Sequence, residues 1–179
     1  MNETRRITPR ELVIVAGALA LTAAAPVAGV INARVASNEA TTIGDVRTVI
    51  GAQAAYRSAN GGWYEYNFAC LATQGGCIPL SPTTDPTFLD SQLAGFIPRA
   101  GYRRAVGSLG SLPYPADPNL SPTSVSDYAY TASPVQQNQT GVRGFGGDGT
   151  GFLCFSPDGQ QPPNTNGRLT RSPLCKPLQ

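Results

Sequence analysis

The sequence predicts an α+β protein: one long N-terminal α-helix, membrane-spanning in its first half and amphipathic in its second, packed on a small antiparallel β-sheet head. Three observations carry this. No charged residue lies between Leu12 and Ala33, and helical apolar spacing continues beyond it to Tyr56. After residue 60, short aromatic and β-branched runs alternate with Gly, Pro, Ser and Asp, the pattern of brief strands joined by turns. The cysteines, four in all, fall in that second region. With 179 residues the chain has room for one modest domain and an appendage.

Residues 1–10 form a basic, leader-like segment with Arg5, Arg6 and Arg10. By the positive-inside rule they hold the N-terminus in the cytoplasm and send the head outward. Residues 11–33 form the membrane and assembly half of the helix, long enough to cross a hydrocarbon core of roughly 30 Å at about 1.5 Å per residue. Ala16, Ala20, Ala24 and Ala28 recur every fourth residue, a ladder of small side chains that lets helices approach closely. Pro26 cannot donate to the carbonyl of Thr22, so a kink is expected there.

A competing reading makes the same segment a secretory signal cleaved around Ala23 to Ala25, leaving a secreted, disulfide-containing binding domain. Glu11 at the edge of the apolar run, Pro26 just after the alanines and the continuing helical pattern weigh against it.

Residues 34–59 form the amphipathic half. Ile31, Val35, Ile43, Val46, Val49, Ile50, Ala54 and Tyr56 share a broad face, with Arg34, Asn38, Asp45 and Arg57 assigned largely elsewhere. Asn60-Gly61-Gly62 ends the helix.

The head covers residues 60–179. Residues 60–100 read as a turn-rich loop in which Trp63, Tyr64, Tyr66 and Phe68 pack against the helix, with a short helical turn at Leu89 to Ala94. Residues 101–156 carry the sheet, with strands expected at Tyr102 to Val106, Tyr128 to Ala132, Gly141 to Phe145 and Gly151 to Phe155. Gly146-Gly147-Asp148-Gly149 is expected as the hairpin turn between the last two. Residues 157–179, with Pro157, Pro162, Pro163 and Pro173, read as a disulfide-tied and otherwise unstructured tail.

An even cysteine count in the exported part indicates two disulfides. Cys70–Cys77 closes a small loop and Cys154–Cys175 pins the tail, whereas zinc would want tight Cys-x-x-Cys knuckles that the spacing lacks. The 13 basic and 11 acidic residues form no basic stripe, so nucleic acid is not an indicated partner. There is no histidine, which removes the commonest general base and the commonest metal ligand. No catalytic residue, metal or cofactor is predicted. Asp148, a lone carboxylate on a glycine turn, reads as a turn residue rather than a calcium ligand.

This layout resembles the type IV pilin and type II secretion pseudopilin family over most of the chain. Thr8 and Glu11 occupy the places of the threonine and glutamate in the family's N-terminal signature. The run from Asn32 to Thr48 resembles the family's helix continuation, and no insertion is needed between Glu11 and Glu39. Tyr128-Ala129-Tyr130-Thr131-Ala132 and Gly141-Val142-Arg143-Gly144-Phe145 resemble head strands at a looser level. The resemblance implies a pilin fold and a filament subunit that is not an enzyme. Its partners are other copies of itself, the inner-membrane assembly machinery and, as a precursor, the membrane, before the chain passes to a surface or extracellular filament. It also implies that Ile7 opens the processed chain and that Glu11 neutralises a subunit's N-terminal amine in the filament core, since a carboxylate there needs a cation. Arg6 stands where the family's peptidase meets glycine, Ile7 replaces the usual phenylalanine, and Pro9 and Arg10 replace apolar residues. Pro26 falls two residues before the family's usual proline position, Ala28 here.

Overall fold

The computed structural model describes residues 9–79, 81–82, 84, 86–113 and 116–178, with side chains from residue 29 onward. The first helix, α1, runs Pro9–Ala59. By contact the chain divides into residues 1–34 and residues 35–179, and the second unit holds the head together with the last part of α1. Among the described residues no helix is long and apolar enough to cross a membrane. The side chains of Arg6, Ile7, Glu11, Ala16, Ala20, Ala24, Pro26 and Ala28, on which the expectations of a span, its processing and its packing rest, lie outside the described residues.

α1 stops where the sequence places the breaker. Gly61 takes a left-handed φ of 55°, and the Gly62 N–H returns to the Arg57 carbonyl at 2.9 Å. That six-to-one bond with glycine just past the cap is a Schellman ending. The chain then forms β1 (Tyr64–Glu65), α2 (Phe68–Leu71), a 3-10 turn (Gln74–Cys77) and α3 (Ser91–Ala94). Asp90 caps α3 by accepting from the Gln92 and Leu93 N–H groups.

Seven strands follow: β2 (Tyr102–Leu109), β3 (Ser124–Val125), β4 (Tyr128–Pro134), β5 (Gly144–Asp148), β6 (Leu153–Ser156), then β7 (Asn164–Thr165) with β8 (Arg168–Leu169). An eighth, β9 (Lys176–Pro177), closes the series. Strands β2-β4-β5-β6-β9 make a five-stranded sheet in that order, every pair antiparallel. β1 pairs with β3, and β7 with β8 through a two-residue turn, Asn166-Gly167, whose φ values are both positive as a type I′ hairpin requires.

Strand alternation sends Tyr128 and Tyr130 of β4 to the face that α1 covers, where they join Val46, Val49, Ala52 and Tyr56 in the main core. Ala129, Cys154, Leu169 and Cys175 pack on the opposite face. β5 is buried on both sides along its length. Its glycines explain how: a Cβ at Gly147 would come within 2.7 Å of Ile50 and 2.8 Å of Val46 on α1, while one at Gly144 would meet the Gln160 carbonyl oxygen.

Three expectations change. Gly146, Gly147 and Asp148 are strand rather than turn; the reversal is shifted on to Asp148-Gly149-Thr150-Gly151, where Gly151 has φ 81° and its N–H bonds the Asp148 carbonyl. The expected strand at Gly141 to Phe145 accordingly begins only at Gly144. The tail is structured, since it supplies the β7–β8 hairpin over one sheet face and β9 at the sheet's edge.

Candidate functional site

The candidate residues of the head lie along the face that α1 presents to the sheet, and many of them are polar. Glu39, Thr42, Asp45 and Gln53 are buried there beside Val46, Val49 and Tyr56. Asp45, assigned to the polar side of the helix from sequence, is instead turned inward, and Ala54, assigned to the apolar face, is exposed. A buried carboxylate needs a partner, and the sheet provides one in two of three places.

Glu39 is held by Arg143, the residue just before β5. Its Oε1 accepts from the Val142 and Arg143 N–H groups at 2.9 and 3.0 Å, and its Oε2 from the Arg143 Nε and Nη2 at 2.9 and 2.6 Å. The Arg143 guanidinium lies over the Phe145 and Phe155 rings, 5.4 and 5.1 Å from their centroids. Burial works to raise the Glu39 carboxyl, but the Arg143 and Val142 hydrogen bonds together outweigh it and hold the group below the usual carboxylate range.

Asp45 forms an ion pair with the fully buried Arg104 of β2, whose Nη1 also donates to the Arg99 and Tyr102 carbonyls at 3.1 and 3.2 Å. The Arg104 Nε and the Tyr128 and Tyr130 hydroxyls are buried, and among the described residues they have no hydrogen-bond partner. Burial pushes the Tyr128 and Tyr130 phenols well above their ordinary value, and those of Tyr56 and Tyr102 likewise.

The third carboxylate, Glu65 of β1, is fully buried, and the side-chain groups on it are hydroxyls rather than a cation. It accepts from the Ser121 hydroxyl at 2.6 Å, the Tyr56 hydroxyl at 2.9 Å and the Asn67 N–H at 2.8 Å. Gln53 of α1 clasps the Glu65 backbone, accepting from its N–H at 3.0 Å and donating to its carbonyl at 2.5 Å. Asn60 extends the network, accepting from the Ser121 N–H and donating to the Ser124 hydroxyl. Its arrangement ties the end of α1 to β1 and β3.

A groove of about 690 Å³ opens beside this network at the end of α1, floored by Ile50 and Tyr64 and rimmed by Arg57, Gly62, Gly149 and Gly151. Arg57 lies over the Tyr64 ring, 5.1 Å from its centroid, and Tyr64 donates to the Gly149 carbonyl at 2.5 Å. Asp148 caps the turn beneath, its carboxylate accepting from the Thr150 N–H and hydroxyl and from the Leu169 N–H. Among the described residues no group of three acidic, cysteine or histidine side chains is placed to hold a metal ion.

Both disulfides are formed, Cys70–Cys77 and Cys154–Cys175. No protein-family model, no curated protein and no solved structure matches the chain. Glu39, Asp45, Glu65, Arg104 and Arg143 were not singled out as site residues from sequence. The available signal was Glu39, Thr42, Asp45 and Gln53 sharing the three-and-four spacing of the apolar residues between them.

Proposed function

We propose that this chain is a structural subunit of a filament of the type IV pilus or type II secretion pseudopilus kind, with a pilin fold, assembled by packing N-terminal helices with the heads outside. One observation carries the reading. α1 spans 51 residues, yet its part in the unit that holds the sheet begins only at Val35. The part of α1 before Val35 belongs to a separate unit, and on this reading its work is other than packing the head's own core. The charge-free run from Leu12 to Ala33 with Glu11 at its edge suits that work: membrane residence as a precursor, then burial among neighbouring helices. The partners on this reading are other copies of the chain and the inner-membrane assembly machinery.

Electron microscopy of sheared surface fractions tests it, with fibres containing this chain as the expected result. Glu11→Ala is expected to leave the precursor in the membrane and abolish the fibres. Normal fibres from that variant would remove Glu11 from assembly, and a mature chain whose intact mass begins near Pro26 would replace the filament reading with that of a secreted domain.

A further inference from the structure

The two disulfides sit in opposite surroundings. Cys154 and Cys175 are both buried, at 0% and 1% exposure, in the layer behind the sheet. Cys70 is buried in α2, but Cys77 stands exposed at the end of the 3-10 turn. Its backbone is also unusual: Gly75, Gly76 and Cys77 take φ values of 72°, 64° and 58° in succession. Glycine adopts that left-handed region freely, whereas at Cys77 the Cβ opposes it. A non-glycine residue stays there only where its surroundings over-determine it, and the bridge to Cys70 together with the hydrogen bond from the Tyr56 hydroxyl to the Gly76 carbonyl at 2.8 Å supply that constraint.

We propose that Cys70–Cys77 is a thiol-exchange site, an openable latch that fastens the loop around Gly76 to α1, while Cys154–Cys175 is a sealed structural bridge. Exposed or strained disulfides are the labile ones, and attack falls on the sulfur a thiolate can reach. The thiolate of an external dithiol, whether small molecule or protein, attacks the Cys77 sulfur. A new sulfur–sulfur bond forms there as the Cys70–Cys77 bond breaks, and the electron pair leaves on the Cys70 sulfur, which takes a proton from solvent. The dithiol's second thiolate then displaces the Cys77 thiolate, leaving an oxidised reagent and two protein thiols. An oxidised dithiol runs the sequence backward and recloses the loop. Opening lets Cys77 leave the left-handed region and frees the Gly76 carbonyl from Tyr56, whose hydroxyl keeps its bond to Glu65.

This proposal is independent of filament assembly and is tested on the folded chain. The protein is incubated with graded dithiothreitol, quenched with N-ethylmaleimide and mapped by peptide mass. Cys70 and Cys77 are expected to label together at dithiol concentrations at least about tenfold below those that label Cys154 and Cys175. Simultaneous labelling of both pairs, or earlier labelling of Cys154 and Cys175, overturns the proposal. Hydrogen exchange on the selectively reduced protein then reads the latch. The Gly76 and Ile78 amides, bonded to Thr73 and Gly75 in the closed loop, are expected to lose protection while those of β5 keep theirs. Unchanged exchange at Gly76 and Ile78, or loss of protection throughout β5, overturns the coupling of loop to helix.

Discussion

On one face of the sheet Tyr102, Tyr128, Tyr130 and Phe145 meet α1 in a thick aromatic layer, whereas on the other Ala129, Gly144 and Gly146 lie under the thin C-terminal segment. The front layer stands on side-chain bulk and on polar clasps between α1 and the strands. The back layer has little apolar volume, and the Cys154–Cys175 bridge closes it. A small apolar cluster gains little from burial alone, and a covalent tie compensates by restricting the unfolded chain. The two faces thus solve the same problem differently, and each solution fails in its own way.

The front face is the more costly to break. Asp45→Ala leaves the Arg104 guanidinium, fully buried, without its carboxylate, and removing one member of a buried pair costs about 3–5 kcal/mol. Urea unfolding followed by tyrosine fluorescence is expected to show that loss. A loss near that of an ordinary surface substitution would mean that the Asp45–Arg104 pair adds little to the hold of α1 on the sheet. On the back face, Cys154→Ser with Cys175→Ser opens a loop of sequence separation 21 and is expected to cost about 3 kcal/mol. Hydrogen exchange separates the two failures: the double variant is expected to expose the β7–β8 hairpin while the amides pairing β4 with β5 stay protected. Loss of protection in both places would show that the faces are one cooperative unit.

What the sequence revealed divides along the same line. The front face was legible, because Tyr128 and Tyr130 alternate as a half-buried strand does and Val46, Val49 and Tyr56 recur at helical spacing. The back face was not. Gly146 and, on the α1 side of the same strand, Gly147 read as turn residues, although a strand covered closely on both sides also demands small side chains. The tail's prolines likewise suggested no structure, yet Asn166-Gly167 is a hairpin signal in plain view. The ion pairs were hidden for another reason. Arg104 and Arg143 lie 59 and 104 residues from their carboxylates, and pairing at that range is fixed by strand register rather than by any local pattern. Between the two cysteine bridges the pairing was easier to read, since each joins neighbours in sequence.

The smallest effect concerns Glu39, where a front-face clasp reaches the surface. Its folded carboxyl titrates below the usual carboxylate range because Arg143 and two backbone N–H groups favour the ionised form over the cost of burial. A group lowered in this way contributes stability that is fully present above the unfolded value, about 4.3, and that is lost as pH falls through the folded value. Glu39→Gln removes the titrating group, so wild type and variant are expected to converge in stability as the medium is acidified from about pH 6 to below pH 4. Arg143 is about a third exposed, so solvent screens part of the pair and the gap at neutral pH is smaller than that for Asp45→Ala. Denaturant midpoints measured at several pH values read this directly. A gap that stays constant across the acid range would mean that Glu39 works through its geometry, as a cap on the Val142 and Arg143 amides, and not through its charge.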